Sequence, residues 1–150
     1  MSELGDLYQE VIIEHSKSPR NFAVLADATA TVEAYNPLCG DQITLYLKMA
    51  DGRIADISFQ GQGCAISKAS TSLMTQALKG EDEETARALF AEVHTLLTEG
   101  PDAVAEPEHL GKLAVLSGVS EYPARVKCAS LGWHALKSAL DEGAQPVSTE

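Results

Sequence analysis

The residues around Asp51-Gly52 constrain the fold of this 150-residue chain more than any other feature. Before this dipeptide, apolar residues alternate with polar ones over residues 43–49, a period of two that is typical of a strand with one buried face. After it, Ile54, Ile57 and Phe59 mark a second strand. Because Asp-Gly favours a tight two-residue turn, the sequence predicts a β-hairpin at this point.

The flanking segments extend the hairpin to an α+β fold. Residues 28–35 also alternate and predict a further strand. Helical patterns occupy five segments: residues 4–16, 64–79, 82–98, 108–116 and 123–142. Trp133 falls on the apolar face of the last one. We therefore expect a small three-stranded antiparallel sheet packed against about five helices, in a single domain over residues 1–144 with a flexible tail at 145–150.

The composition is that of an ordinary globular protein, with 45% apolar and 22% charged residues. Apolar runs are too short to span a membrane, and the acidic N-terminus lacks the apolar stretch of a signal peptide. The sequence thus predicts a cytoplasmic protein with no membrane partner.

The net charge of −11 is concentrated in one stretch. Residues 81–108 hold nine acidic residues against a single base, Arg87. Such a surface repels phosphate backbones, so nucleic-acid binding is not expected. Two interpretations of this stretch remain: a solvated, solubilising face, or a surface that steers a basic partner protein.

The chain has three cysteines, all beside turn residues or expected helix starts. Cys39 and Asp41 flank Gly40, Cys64 follows a glycine pair, and Cys128 lies shortly after Pro123. An odd number of cysteines in a cytosolic protein favours metal ligation or thiol chemistry over disulfides.

Three thiolates and a carboxylate can complete a tetrahedral metal site, and a thiolate released from it would be a nucleophile. Each cysteine taken alone is more often a small buried apolar residue, and Asp41 alone is more often a turn residue. The four histidines show no pair at metal-binding spacing, so we interpret them as structural or surface residues: His15, His94, His109 and His134.

Three segments carry a family resemblance: Asn36-Pro37-Leu38-Cys39-Gly40-Asp41, Gly63-Cys64-Ala65-Ile66-Ser67 and Arg125-Val126-Lys127-Cys128-Ala129. Their order and spacing resemble the U-type iron–sulfur cluster assembly proteins, the IscU/SufU/NifU N-terminal family. The resemblance covers nearly the whole chain and implies an IscU-like fold.

Three departures from the IscU branch resemble the SufU branch instead. Lys127 stands where IscU proteins have a histidine before the last cysteine, and the acidic segment is longer. The stretch Glu121-Tyr122-Pro123-Ala124-Arg125 replaces a Leu-Pro-Pro-Val-Lys chaperone motif, so an Hsp70-type chaperone partner is not expected.

The resemblance implies a zinc ion held by Cys39, Asp41, Cys64 and Cys128. It also implies a sulfurtransferase that takes persulfide sulfur from a SufS-type, PLP-dependent cysteine desulfurase and passes it to downstream Suf scaffold proteins. In the family pattern Cys39 is the sulfur acceptor, and Arg125 assists near the site. Two alternatives remain: a scaffold that binds iron or a transient 2Fe–2S cluster, and a structural zinc adaptor.

Overall fold

The computed structural model describes residues 3–37, 40–100, 110–111, 113–116, 119, 123–141 and 147–148. Four α-helices and four strands follow one another along this part of the chain: α1 (Glu3–Lys17), β1 (Ala30–Asn36), β2 (Asp41–Ala50), β3 (Arg53–Gln62), α2 (Ala65–Leu78), α3 (Glu83–Glu99), α4 (Pro123–Leu140) and β4 (Val147–Ser148). None of these helices combines the length and the apolarity that crossing a membrane requires.

The predicted antiparallel sheet is confirmed. β1, β2 and β3 pair in chain order, and the strand order of the whole sheet is β3-β2-β1-β4. Asp51 and Gly52 both have positive φ, 55° and 76°, as the two central residues of a type I′ hairpin turn require. β4 adds a short parallel pairing to β1, although the sequence predicted only three strands and a loose tail over 145–150.

The core lies between one face of the sheet and the helices α2 and α4. Alternate side chains of β2, including Leu45 and Leu47, are fully buried on this face. Trp133 of α4 is buried as predicted, and its Nε1 donates a hydrogen bond to Ser70 Oγ of α2 at 3.1 Å. Ser70 Oγ in turn donates to the Ala129 carbonyl at 2.6 Å. The small residues of α2 therefore allow a close contact with α4, which brings the N-terminal ends of the two helices together.

The sequence predicts a short α-helix over residues 108–116. This prediction is wrong for the part of the segment that the structure describes. Residues 110–111, 113–116 and 119 form 3₁₀ turns, so this part of the chain has four α-helices rather than about five. Leu110, Leu113 and Leu116 are all buried. Their spacing of three matches the three residues per turn of a 3₁₀-helix, whose side chains at i and i+3 share one face.

Gly132 of α4 packs directly against Thr71 of α2, and an added methyl group is expected to destabilise the fold. A Cβ at this position would lie 2.2 Å from Thr71 Oγ1 and 3.0 Å from Thr71 Cβ. We expect Gly132→Ala to lower the free energy of unfolding by about 1–3 kcal/mol, as overpacking does in other cores. Urea unfolding measures this change.

The matched control is the double variant Thr71→Ala/Gly132→Ala. Because the smaller side chain removes the clashing hydroxyl, the double variant should lose less stability than the two single losses added together. Simple additivity would show that the Gly132–Thr71 contact does not control the packing of these helices.

Candidate metal centre

Asp41 and Asn36 lie opposite each other at the ends of two paired strands. Asn36 is the last residue of β1 and Asp41 the first of β2, and both side chains are fully buried. The Gly40 N–H donates to the Asn36 carbonyl at 2.9 Å, and Gly40 has a φ of 73°. This left-handed conformation favours glycine. The turn therefore places the buried Asp41 side chain at the end of the sheet, next to the start of α2. Cys39, in the same turn, lies outside the described residues.

Cys64 occupies the N-cap of α2. Its Sγ accepts a hydrogen bond from the Ser67 N–H at 3.4 Å, which satisfies one of the unpaired donors at the helix start. Its own N–H donates to Asp41 Oδ1 at 2.7 Å, and its thiol donates to Asp41 Oδ2 at 3.7 Å. The Cys64 sulfur therefore lies at the N-terminus of α2, next to the Asp41 carboxylate.

Gly63 lets the β3–α2 connection approach Asp41 closely. A Cβ on Gly63, which has a φ of 146°, would lie 2.3 Å from Asp41 Oδ1 and 2.9 Å from Asp41 Cα. No larger residue fits without moving the carboxylate. The glycine before Cys64 is thus part of the site, because it allows the Cys64 N–H to reach Asp41.

Cys128 enters the same space from the second turn of α4. It is 3% exposed, and Asn36 Nδ2 donates a hydrogen bond to its Sγ at 3.6 Å. Asn36 was not among the residues predicted from the sequence. Its Asn-Pro dipeptide indicates a turn and gives no sign of a contact with a cysteine that follows 92 residues later.

The structure brings Asp41, Cys64 and Cys128 together. Their ligand atoms all lie within 4.8 Å of one another. Two thiolates and a carboxylate oxygen around a tetrahedral ion lie about 3.5–4 Å apart, given Zn–S and Zn–O bonds of about 2.3 and 2.1 Å. The donors therefore fit a zinc-sized ion after a small contraction. Within the described residues, this group contains no imidazole.

The charged residues near Cys128 differ in exposure. Arg125 is exposed on the first turn of α4, whereas Lys127 is partly buried. Both stand within three residues of the buried Cys128, on the same helix. Their positive charges lower the electrostatic cost of gathering several anionic ligands in one place.

The histidines are placed apart from this group. His15 is buried in α1, where its Nδ1 lies 2.7 Å from Ser72 Oγ, and this agrees with a structural role. His94 of α3 and His134 of α4 face each other with ring centroids 6.1 Å apart, a pair that spacing along the chain did not reveal. His109 lies outside the described residues.

The Asp41 carboxylate has two separable roles, a hydrogen bond to Cys64 and a negative charge for a metal. Asp41→Asn retains an oxygen that accepts from the Cys64 N–H but removes the charge, so we expect zinc affinity to fall by about tenfold or more while the fold is retained. Asp41→Ala removes both and should also lower stability. Competition with a zinc chelator measures the affinity, and thermal unfolding measures the stability. Unchanged zinc affinity in Asp41→Asn would exclude Asp41 as a ligand.

The chain is similar to known proteins over most of its length. Residues 7–141 match the family model described as NifU-like N terminal domain. The chain is 43% identical to the zinc-dependent sulfurtransferase SufU of Bacillus subtilis over 144 residues, which cover 95% of this chain and 96% of that protein. It is 42% identical to the iron–sulfur cluster assembly scaffold protein IscU of Streptococcus pyogenes, with 96% and 89% of the two chains covered.

The fold is similar to that of solved relatives. The crystal structure of a nitrogen-fixing NifU-like protein (N-terminal) from Brucella abortus superposes with a TM-score of 0.81. The two chains are 27% identical, and the superposition covers 95% of this chain and 97% of that one.

Proposed function

This chain belongs to the NifU-like N-terminal domain family of iron–sulfur cluster assembly proteins, and we propose that it acts in that family as a zinc-dependent sulfurtransferase of the SufU type. The observation that carries the proposal is the convergence of Asp41, Cys64 and Cys128 in a group that includes no imidazole from the described part of the chain. Lys127 precedes Cys128 where the scaffold branch of the family has a histidine. The relative from Bacillus subtilis, at 43% identity, is itself named a zinc-dependent sulfurtransferase.

Four residues would hold zinc: Cys39, Asp41, Cys64 and Cys128. When bound, zinc keeps the thiols deprotonated and limits their oxidation while they wait for a partner. Three thiolates and one carboxylate bring four negative charges, and Arg125 and Lys127 lie close enough along α4 to offset part of them. Because all the ligand-bearing segments pack around one sheet, we propose that residues 1–144 act as a single functional domain.

Cys39 is our candidate for the sulfur acceptor. Cys64 Sγ already accepts a hydrogen bond from the helix start, and Cys128 Sγ is buried and accepts one from Asn36. Both therefore suit a fixed ligand better than a mobile nucleophile. Cys39 belongs to the short connection between β1 and β2, where its neighbour Gly40 is exposed. A cysteine in such a turn is more easily reached by a partner's persulfide.

The proposed transfer is a thiol–persulfide exchange. The Cys39 thiolate attacks the outer sulfur of a cysteine persulfide on the partner, a new S–S bond forms at Cys39, and the partner's cysteine leaves as a thiolate. No external oxidant or reductant is needed. The partner is a SufS-type, PLP-dependent cysteine desulfurase, which supplies the sulfur from cysteine, and Suf scaffold proteins would receive it. A reducing compartment suits this chemistry, so a cytoplasmic location is part of the proposal.

Arg125 is proposed to assist at the same site. It is exposed at the start of α4, three residues before Cys128, so it can face a docked partner. A guanidinium there would favour the anionic form of the attacking sulfur and of the persulfide product. It is therefore a candidate for positioning and charge stabilisation during transfer.

A second candidate function is a scaffold for a 2Fe–2S cluster. The relative named as a scaffold protein in Streptococcus pyogenes, at 42% identity, favours it. Three thiolates and a carboxylate are acceptable iron ligands. Against it stands Lys127, whose ammonium group has no lone pair for iron while it is protonated.

Desulfurase turnover separates the two functions. Zinc-loaded protein mixed with a SufS-type desulfurase and cysteine should raise alanine production several-fold, and metal-free protein prepared with a chelator serves as the control. Iron added under the same conditions should produce no stable visible absorption of a cluster. Absence of stimulation together with a 2Fe–2S spectrum would instead assign the scaffold function.

A further inference from the structure

A groove between α3 and α4 holds a second cluster of metal-ligating side chains. It has a volume of about 380 Å³ and is lined by Phe90, Ala91, His94, Thr95, His134 and Lys137. His134 follows Cys128 by six residues on α4, which is about 9 Å along the helix axis and on another side of it. The groove is therefore separate from the candidate metal centre.

The two imidazoles in this groove lie against each other. The ring centroids of His94 and His134 are 6.1 Å apart, with an angle of 78° between the ring planes. Phe90, one helical turn before His94, contacts both rings at centroid distances of 5.9 Å and 5.8 Å. The three rings form a compact triangle, so the packing of α3 against α4 brings the two imidazoles close together.

The surroundings of His134 favour metal binding by its imidazole. Burial lowers the pKa of His134, and the neighbouring His94 and Lys137 lower it further. A lowered pKa favours the neutral ring, which is the form that ligates metals. Within the described part of the chain, neither imidazole makes a hydrogen bond, so no protein partner has to be displaced there.

We propose that His94 and His134 together bind a divalent transition-metal ion in the α3–α4 groove. Two imidazoles that share a tetrahedral ion at about 2.0 Å have ring centroids about 5 Å apart, so the pair must close by about 1 Å. His94 is exposed and can supply this movement by a side-chain rotation. Water completes the coordination, since the groove is open to solvent.

Two electrostatic effects on a cation in the groove oppose each other. The net charge of −11 raises the local concentration of cations around the whole protein. Lys137, which lines the groove beside His134, repels a bound cation. With two protein ligands and this repulsion, the groove binds metal more weakly than the four-ligand centre and exchanges it with solvent.

The test uses tag-free, full-length protein whose main centre is loaded with zinc, and Ni²⁺ as the probe. Equilibrium dialysis followed by elemental mass spectrometry counts nickel and zinc separately. We expect one nickel per chain in addition to the retained zinc. His94→Gln and His134→Gln should each weaken nickel binding by about tenfold or more, because removal of one of two protein ligands leaves no chelate.

Two further variants keep the test specific. Thr95→Ala, which changes a side chain of the groove that carries no imidazole, should bind nickel as the natural protein does. Lys137→Gln should bind it several-fold more tightly, since a repelling charge is removed. The proposal would be overturned if nickel did not bind, or if its binding did not depend on His94 and His134. Release of an equal amount of zinc would overturn it as well.

Discussion

Replacing Cys39 with alanine will abolish persulfide formation on the protein and its stimulation of a SufS-type desulfurase. The reason is chemical: alanine has no sulfur that can attack the partner's persulfide, while Cys64 is partly buried and Cys128 is buried. We expect desulfurase turnover to fall to the rate of the desulfurase alone. Alanine production from cysteine measures this rate.

Gln42→Ala is the matched control for that loss. Gln42 is adjacent to Asp41 on β2, but its side chain is exposed on the opposite face of the strand. This variant should stimulate the desulfurase as the natural protein does, with the same zinc content. If Cys39→Ala still stimulated turnover fully, Cys39 would not be the acceptor, and the transfer would have to use another cysteine.

Replacing Cys128 with serine will remove tight zinc binding. Cys128 is 3% exposed and shares a site with Asp41 and Cys64, so no other described side chain can take over its position. A serine hydroxyl is a poor zinc ligand, and we expect the affinity to fall by about 100-fold or more. When zinc is present at about 100 times the dissociation constant of the natural protein, a 100-fold weaker affinity lowers the free energy of unfolding by about 2.3 kcal/mol.

The measurement combines zinc stoichiometry by elemental mass spectrometry with thermal unfolding in the presence and absence of a chelator. Ser130→Ala, two residues further along α4, is the control, because the Ser130 hydroxyl donates only to the Lys127 carbonyl among the described residues. It should retain one zinc per chain. A Cys128→Ser protein that kept one zinc and its zinc-dependent stability would show that α4 supplies no ligand.

The hairpin and the main helices could be predicted because their signals are local. The Asp51-Gly52 turn and the alternating β2 residues determine both pairing and burial within a short window. β4 could not be predicted, since two residues gain strand structure only by pairing with β1. The 3₁₀ turns near Leu110 were mistaken for an α-helix, because buried leucines at a spacing of three occur in both.

The candidate centre could be predicted only in part, for a similar reason. Cys64 and Asp41 are marked by glycines that the chain needs for close approach, and Gly63 contacts Asp41 directly. Asn36 supports Cys128 through a contact that depends on how α4 packs on β1, which no local pattern encodes. The His94–His134 pair likewise arises from the packing of α3 on α4.

We propose that the protein carries the transferred sulfur on Cys39. The most direct measurement is a non-reducing, peptide-mapped mass spectrum of the zinc-loaded protein after incubation with a SufS-type desulfurase and cysteine. We expect one added sulfur on the peptide that contains Cys39, together with faster desulfurase turnover. A spectrum with no added sulfur on any cysteine, and no increase in turnover, would contradict it.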